Sequence, residues 1–286
     1  MSLSIFSKSI CRIFIPILLL VQFAAAQNLK LMTYNIRLDL ASDRENDWNH
    51  RKDFLSGQLR FYGPDIFGVQ EALPNQLTDL ATALPEYARI GIGRDGEGKG
   101  EASAIFYNKS RFRVSGAQTF WLSETPEKVS KGWDASYIRI CTFGLFEDLK
   151  TKRRFWVFNT HLDNDGVIAR KKGVEMILAR MKAVNRNNYP VILMGDFNSE
   201  PDSELLVDLR KVMTDARTAS AQKPFGPAGT FNGFRYERPV TLLIDYIFVD
   251  DPKRIAIRKY AVLSESIDLR FASDHFPVFV EAEIVK

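Results

Sequence analysis

Asp196 and Asn198 follow the apolar run Val191-Ile192-Leu193-Met194 by way of Gly195, so a carboxylate and a carboxamide stand two residues apart. Four apolar residues closed by glycine read as a short buried strand ending in a turn. Open α/β sheets place ligands at the carboxyl ends of their strands. One of these side chains can take a proton or a metal ion while the other donates a hydrogen bond to the same point. By themselves the two residues are also an ordinary turn closed by an Asx hydrogen bond. The chemical reading rests on their company. Asn35 ends the apolar stretch that starts at Leu29, Glu71 ends a second, and His161 ends a third. Asp245 sits in the run 242–249, and Asp274-His275 precede Phe276-Pro277-Val278-Phe279.

Ionised groups are seldom buried without a partner, so carboxylates at the ends of many strands point to one shared site. Glu71, Asn35 and Asp274 offer only oxygen ligands, which favours Mg²⁺ or Mn²⁺ over zinc. Such an ion neutralises charge on phosphoryl and leaving oxygens, and the chemistry is then metal-assisted hydrolysis of a phosphoester. A histidine oriented by a carboxylate can take a proton from water near neutral pH. His275 with Asp245 is the candidate pair.

The segments Thr33-Tyr34-Asn35-Ile36, Gln70-Glu71, Asn159-Thr160-His161-Leu162, Gly195-Asp196-Phe197-Asn198, Ile244-Asp245-Tyr246-Ile247-Phe248 and Ser273-Asp274-His275-Phe276-Pro277 resemble, in order, the motifs of the endonuclease/exonuclease/phosphatase superfamily. The resemblance runs from about Leu29 to Val280. It implies a four-layered α/β/β/α sandwich of two packed mixed β-sheets with outer helices, and a site where the sheets open. It places Glu71, assisted by Asn35 and Asp274, at Mg²⁺, and Asp196 and Asn198 around the attacking water and the scissile phosphate. His275, held by Asp245, is then the general base or the phosphate-stabilising histidine. His161 matches the second histidine of the deoxyribonuclease and sphingomyelinase branches, with Glu101 as the residue expected to orient it. Three further segments resemble a bacterial branch near the carbon-catabolite-repression deadenylase-like proteins: 46–51, Gly132-Trp133-Asp134 with Arg139, and 230–234, which contains Asn232. In that reading Arg139 forks onto a phosphate, Asn232 contributes to substrate binding, and Trp48 or Trp133 stacks on a ring.

The elements that must position these residues are legible from period and punctuation. Strands are expected at 29–36, 65–71, 87–91, 102–107, 112–120, 137–147, 155–161, 191–194, 242–249, 255–263 and 277–285. Helices are expected at 50–62, 74–84, 166–185 and 203–211, the second opening on proline. The glycines of residues 91–100 match no phosphate-cradling spacing and precede no helix, so this stretch reads as a flexible turn. Strands with helices inserted between them give an α/β sandwich. At the amino end, Lys8 and Arg12 precede the apolar run 13–23 and Ala24-Ala25-Ala26, the pattern of a cleaved export signal. The run is too short to span a bilayer, which takes ~20 apolar residues. Removing 1–26 leaves one domain, 27–286, with Cys141 as its single cysteine and hence no internal disulfide. The formal charge falls from +4 to +2, because Lys8 and Arg12 leave and no acidic residue does. That balance is too weak for the phosphate-neutralising stripe of a duplex binder. The expected function is therefore hydrolysis of a small or single-stranded phosphoester, with a secreted nuclease as the alternative and a non-catalytic binding module on the same fold ranked below both.

Overall fold

The computed structural model describes residues 28–285, so the expected export signal lies outside the described residues. In chain order the elements are β1 (Leu29–Asn35), α1 (Trp48–Tyr62), β2 (Ile66–Gln70), α2 (Pro74–Ala83), β3 (Tyr87–Ile90), β4 (Ile105–Asn108), β5 (Phe112–Trp121), β6 (Ile140–Asp148), β7 (Arg154–His161), α3 (Val167–Val184), β8 (Val191–Asp196), α4 (Glu204–Leu209), β9 (Thr214–Asp215), α5 (Ala216–Ala219), β10 (Asp245–Val249), β11 (Ile255–Val262) and β12 (Val278–Ile284). One sheet runs β11-β12-β1-β2-β4-β3 and the other β5-β6-β7-β8-β10-β9. Both are mixed: β1 lies parallel to β2 and β7 parallel to β8, while the other pairs are antiparallel.

Three apolar clusters make the layers. Leu31, Ile66, Val157, Ile192, Ile247 and Val280 fill the space between the sheets. Met32, Tyr34, Leu55, Leu59, Phe67 and Leu77 join the first sheet to α1 and α2. Phe158, Ile177, Leu193, Leu206 and Phe248 join the second to α3 and α4. The result is the expected α/β/β/α sandwich.

Strand side chains alternate between faces with period two, and here the inward stripes change character along their length. In β1 the inner row reads Leu29, Leu31, Thr33, Asn35. In β7 it reads Phe155, Val157, Asn159, His161, and in β8 it ends on Asp196. β10 runs antiparallel to β8 and starts on Asp245, opposite Asp196. At this end the intersheet space is therefore polar, and a network joins the sheets. Asn159 donates to the carbonyls of Val69 (3.0 Å) and Ala104 (2.9 Å) and accepts from Gln70 (2.7 Å), which also donates to Thr33. Gly68 makes room for it, since a Cβ there would lie 2.7 Å from the Asn159 carboxamide.

Several boundaries differ from the pattern-based expectation, for physical reasons. Residues 242–244 are apolar but lie outside β10, because the Leu242 carbonyl accepts from the amides of Thr230 and Phe231. β6 starts at Ile140, since the Tyr137 amide is held by the Asp163 carboxylate. Gly195 does not end its strand. With φ of 149°, it keeps a Cβ from falling 2.0 Å from the Thr160 carbonyl. The turn of residues 150–152 between β6 and β7 is a hairpin tip. It lies at the opposite end of the sheet from His161, ~25 Å away along the eight residues of β7.

Asn159→Ala removes three buried hydrogen bonds, although Gln70 keeps Thr33 and the Ala104 carbonyl keeps the Val69 amide, at ~0.5–1.5 kcal/mol per bond. The expected loss is ~3 kcal/mol of unfolding free energy in a urea titration. A change under ~0.5 kcal/mol would show that the network does not hold the sheets.

Candidate active site

Where the two sheets open, Glu71, His161, Asp196, Asn198 and His275 line one cleft of about 500 Å³. Asp196 is its hub. Its Oδ2 accepts from Asn35 Nδ2 (3.0 Å) and lies 3.5 Å from His161 Nε2 and 3.8 Å from His275 Nε2. Its Oδ1 accepts from the Asn198 amide (2.9 Å), so the Asx turn is present as well as the constellation. Asn35 also donates to Glu71 Oε1 (3.0 Å) and thus bridges the two acids. His275 Nδ1 and Asp245 Oδ2 share a 2.8 Å hydrogen bond, the expected pair. Asp274 lies behind the cleft with Oδ2 3.7 Å from Arg37 Nη1.

Three cleft residues take the left-handed backbone conformation that side chains other than glycine seldom adopt: Arg37 (φ 55°), Glu71 (φ 61°) and Asn198 (φ 47°). Such strain persists only where the surroundings enforce it. At Glu71 it brings the carboxylate back over the end of β1, where Oε2 accepts from the Leu38 amide (3.1 Å). At Asn198 it lets Nδ2 reach both His161 Nε2 (3.1 Å) and the Leu162 carbonyl (3.0 Å).

Electrostatics separate the two imidazoles. Burial, with Arg139, His275 and Arg94 nearby, holds His161 well below its usual value. Burial acts the same way on His275, but Asp245, Asp196 and Asp274 outweigh it and push it up to about 10. Burial and the Asp245 charge raise Asp196, and burial and Glu71 raise Asp274. This surplus of buried negative charge on oxygen donors is chemically suited to a hard divalent cation. Asp196, Asp245 and His275 also bring one ligand atom each within 4.8 Å of one another, a second group able to hold an ion.

Other expected contacts are made elsewhere. Glu101 reaches the cleft but pairs with Arg94 (2.7 Å), and His161 is oriented by Asn198 instead. Arg139 lines the cleft, yet its Nε faces Asp163 (3.3 Å) and Nη2 donates to Asn164 (2.9 Å), which leaves Nη1 for a ligand. Asn232 spends its carboxamide on the chain itself, donating to the Ser273 carbonyl and accepting from the Phe234 amide. Its neighbour Phe231 is the residue on the cleft wall. Neither tryptophan lines the cleft. Trp48 is buried and donates to Asp79, and Asp134, next to Trp133, caps α3 through the Ile168 and Ala169 amides. Arg37, Arg94, Tyr137 and the apolar Leu38, Leu40 and Leu242 were not singled out by the sequence reading.

The motif at 46–51 has a clear use in Arg51. Its guanidinium donates to the carbonyls of Asn46, Ile36, Ala272 and Arg37. It thereby ties the end of β1, which carries Asn35, to the segment carrying Asp274 and His275. The basic stretch Arg170-Lys171-Lys172 at the start of α3 does not extend the cleft. Arg170 caps the carbonyls of Asp163 and Asn164, Lys171 pairs with Glu204, and Lys172 pairs with Glu175.

The description "Endonuclease/Exonuclease/phosphatase family" matches residues 32–275, and the chain belongs to that family. An endonuclease/exonuclease/phosphatase of Bacteroides vulgatus is 34% identical, with a TM-score of 0.85 over 91% of this chain and 100% of that one. The mannosyl-6-phosphatase of Bacteroides thetaiotaomicron VPI-5482 is 37% identical, with a TM-score of 0.84 over 89% and 99%. A probable RNA exonuclease of Saccharomyces cerevisiae is 26% identical over 196 residues, 61% of this chain and 38% of that protein. The matches to curated relatives cover 63% or less of those proteins' lengths.

Asp163 gives a pH test of how the wall beside His161 is held. Burial opposes its charge, but the amides of Gly166, Ser136 and Tyr137 and the Arg139 charge prevail and hold it at about 2, below the ordinary 3.8. A carboxyl held low contributes stability above its ordinary value and loses it as pH falls through the folded-state value. Asp163→Asn should therefore be less stable than the parent at pH 7, and the gap should close between about pH 4 and pH 2. A gap that stays constant over that range in thermal melts would remove the ionic account.

Proposed function

We propose that this protein is an exported, Mg²⁺-dependent phosphoester hydrolase, a phosphatase or phosphodiesterase, that acts on a small or single-stranded substrate. The observation that carries the reading is the Asp196 carboxylate between two imidazoles, 3.5 Å from His161 and 3.8 Å from His275, in a cleft it shares with Glu71 and Asn198. Groups whose environments push their proton affinities apart mark acid and base roles. Asp196, raised by burial, accepts the proton of the attacking water, and Asn198 and His161 orient that water. His275, kept cationic by its carboxylates, donates to a phosphoryl oxygen in a water-poor setting where such a bond counts most. Glu71, with Asn35 and Asp274, would hold the divalent ion, whose chemistry is to neutralise charge on phosphoryl and leaving oxygens.

The cleft volume suits a sugar phosphate or a nucleotide, and the likeness to a mannosyl-6-phosphatase makes sugar phosphates the first substrates to test. The likeness to a probable RNA exonuclease keeps a secreted nuclease as the second reading. Against duplex DNA stand the distant hairpin tip at 150–154 and the ion-paired Lys171 and Lys172. Export rests on the basic residues, apolar run and alanines of 1–26. Among the described residues no helix is long and apolar enough to cross a membrane.

A panel of sugar phosphates, nucleotides, RNA and DNA, assayed with Mg²⁺ and with EDTA, tests the reading. EDTA should abolish turnover, and Glu71→Gln should raise the Mg²⁺ requirement and lower kcat sharply. Full activity in EDTA would sink the mechanism.

His275→Ala and Asp245→Asn should each lower kcat by ~10²–10³-fold, the cost of losing one preorganised donor to the developing charge. The double variant should be no worse than the weaker single, because the two residues act as a unit. Losses that multiply would mean that the hydrogen bond between them has no catalytic part.

A further inference from the structure

Arg94, Tyr137 and Arg139 form one cationic wall of the cleft, whose lining also includes the apolar Leu38, Phe231 and Leu242. The guanidinium carbons of Arg94 and Arg139 lie 5.3 and 5.5 Å from the centre of the Tyr137 ring, a cation–π arrangement that fixes both groups.

This wall is built rather than loose. The segment 91–100 that carries Arg94 reads as a flexible turn in sequence, yet its backbone is pinned. The Arg94 amide donates to the Glu101 carbonyl (2.8 Å), and its carbonyl accepts from Trp121 Nε1 (2.7 Å). Gly93 packs where a Cβ would meet the Lys99 carbonyl at 1.9 Å. The side chain is held by Glu101 through Nη2, while its Nε and Nη1 have no partner among the described residues. Arg139, buried and held by Asp163 and Asn164, keeps Nη1 in the same condition. Three N–H-bearing atoms are thus left on the wall that also borders Glu71 and His161.

We propose that Arg94 and Arg139, held by Tyr137, read the third terminal oxygen of a phosphomonoester, so that the cleft selects a terminal phosphate on a small neutral alcohol over a phosphodiester. This rests on the reading of the cleft as a phosphoester site. A monoester carries about −1.5 to −2 charge and three terminal oxygens at pH 7. A diester gives up one of those oxygens to a second ester link. Facing the wall, the third oxygen gains charge-assisted hydrogen bonds. A second ester group would instead leave guanidinium N–H groups desolvated and unpaired, a penalty that works against the wrong substrate.

The test compares 4-nitrophenyl phosphate with methyl 4-nitrophenyl phosphate, which share a leaving group, in the Mg²⁺-loaded full chain. Intrinsic reactivities differ between the two, so the quantity read is the change in the kcat/KM ratio on substitution. Arg94→Gln should lower the monoester-to-diester ratio about tenfold, the loss of one charge-assisted hydrogen bond. Arg94→Lys keeps the charge without the fork and should fall between; it also serves if Arg94→Gln does not fold. A ratio within about twofold of the parent in both variants overturns the proposal, as does an equal loss on both esters.

If the parent turns over neither ester, the hydrolase reading fails and binding decides this one. In calorimetry with inorganic phosphate and with dimethyl phosphate, the parent should bind the first more tightly, and Arg94→Gln should erase most of that preference. Equal binding of the two anions by the parent overturns it.

Discussion

The Asn159 carboxamide is the contact on which the rest of the site depends. It crosses from β7 to the first sheet and ties Val69 and Gln70 of β2 and Ala104, just before β4, into one buried network. Apolar packing alone fixes the spacing of two sheets loosely, because hydrophobic attraction has no direction. Hydrogen bonds that must be made in a buried space fix it within tenths of an ångström. Directly beyond this network lie Asn35, from one sheet, and Asp196, from the other, 3.0 Å apart. A site assembled from two sheets needs such a tie, and the residues that form it are too small to fill the gap in any other way.

The same end of the sandwich concentrates charge. Four acids, Glu71, Asp196, Asp245 and Asp274, face two histidines in a space that is mostly closed to water. The arrangement survives because each acid has a dedicated donor: Asn35 for Glu71 and Asp196, His275 for Asp245, Ser273 and Arg37 near Asp274. Buried charge that is paired but not neutralised is costly to a fold and useful to a catalyst.

Much of this was readable from the chain. The apolar runs named the strands, and the polar residues that end them, Asn35, Glu71, His161 and Asp196, named the site. Residues whose role is set by long-range approach were not readable. Arg94 sits in a glycine-rich stretch whose composition signals mobility, while its fixity comes from Trp121 and Glu101 across the fold. Asn198 takes the contact with His161 expected of Glu101, because a left-handed turn at Asn198 puts its carboxamide on the imidazole, which no periodicity reveals. Asn232 was expected at the substrate because the segment 230–234 resembles a bacterial branch of the superfamily. Its partners are the chain's own carbonyl of Ser273 and amide of Phe234. Leu242 fits a strand pattern but pairs with a loop, since hydrophobic period carries no information about which backbone comes alongside.

The graded inner rows have a consequence for directed evolution. Each row turns polar only in its last positions, so the stability that the fold forgoes is concentrated in a few side chains at one end. A selection that rewards heat resistance alone would find its easiest gains there, by exchanging Asn35, Asp196 or Asp245 for apolar residues of similar volume. The survivors would be sturdier sandwiches with no chemistry. Libraries for hardening this scaffold are better drawn from the opposite end, around the turn at 150–152, where exposed loop tips accept change and the site is a full strand's length away.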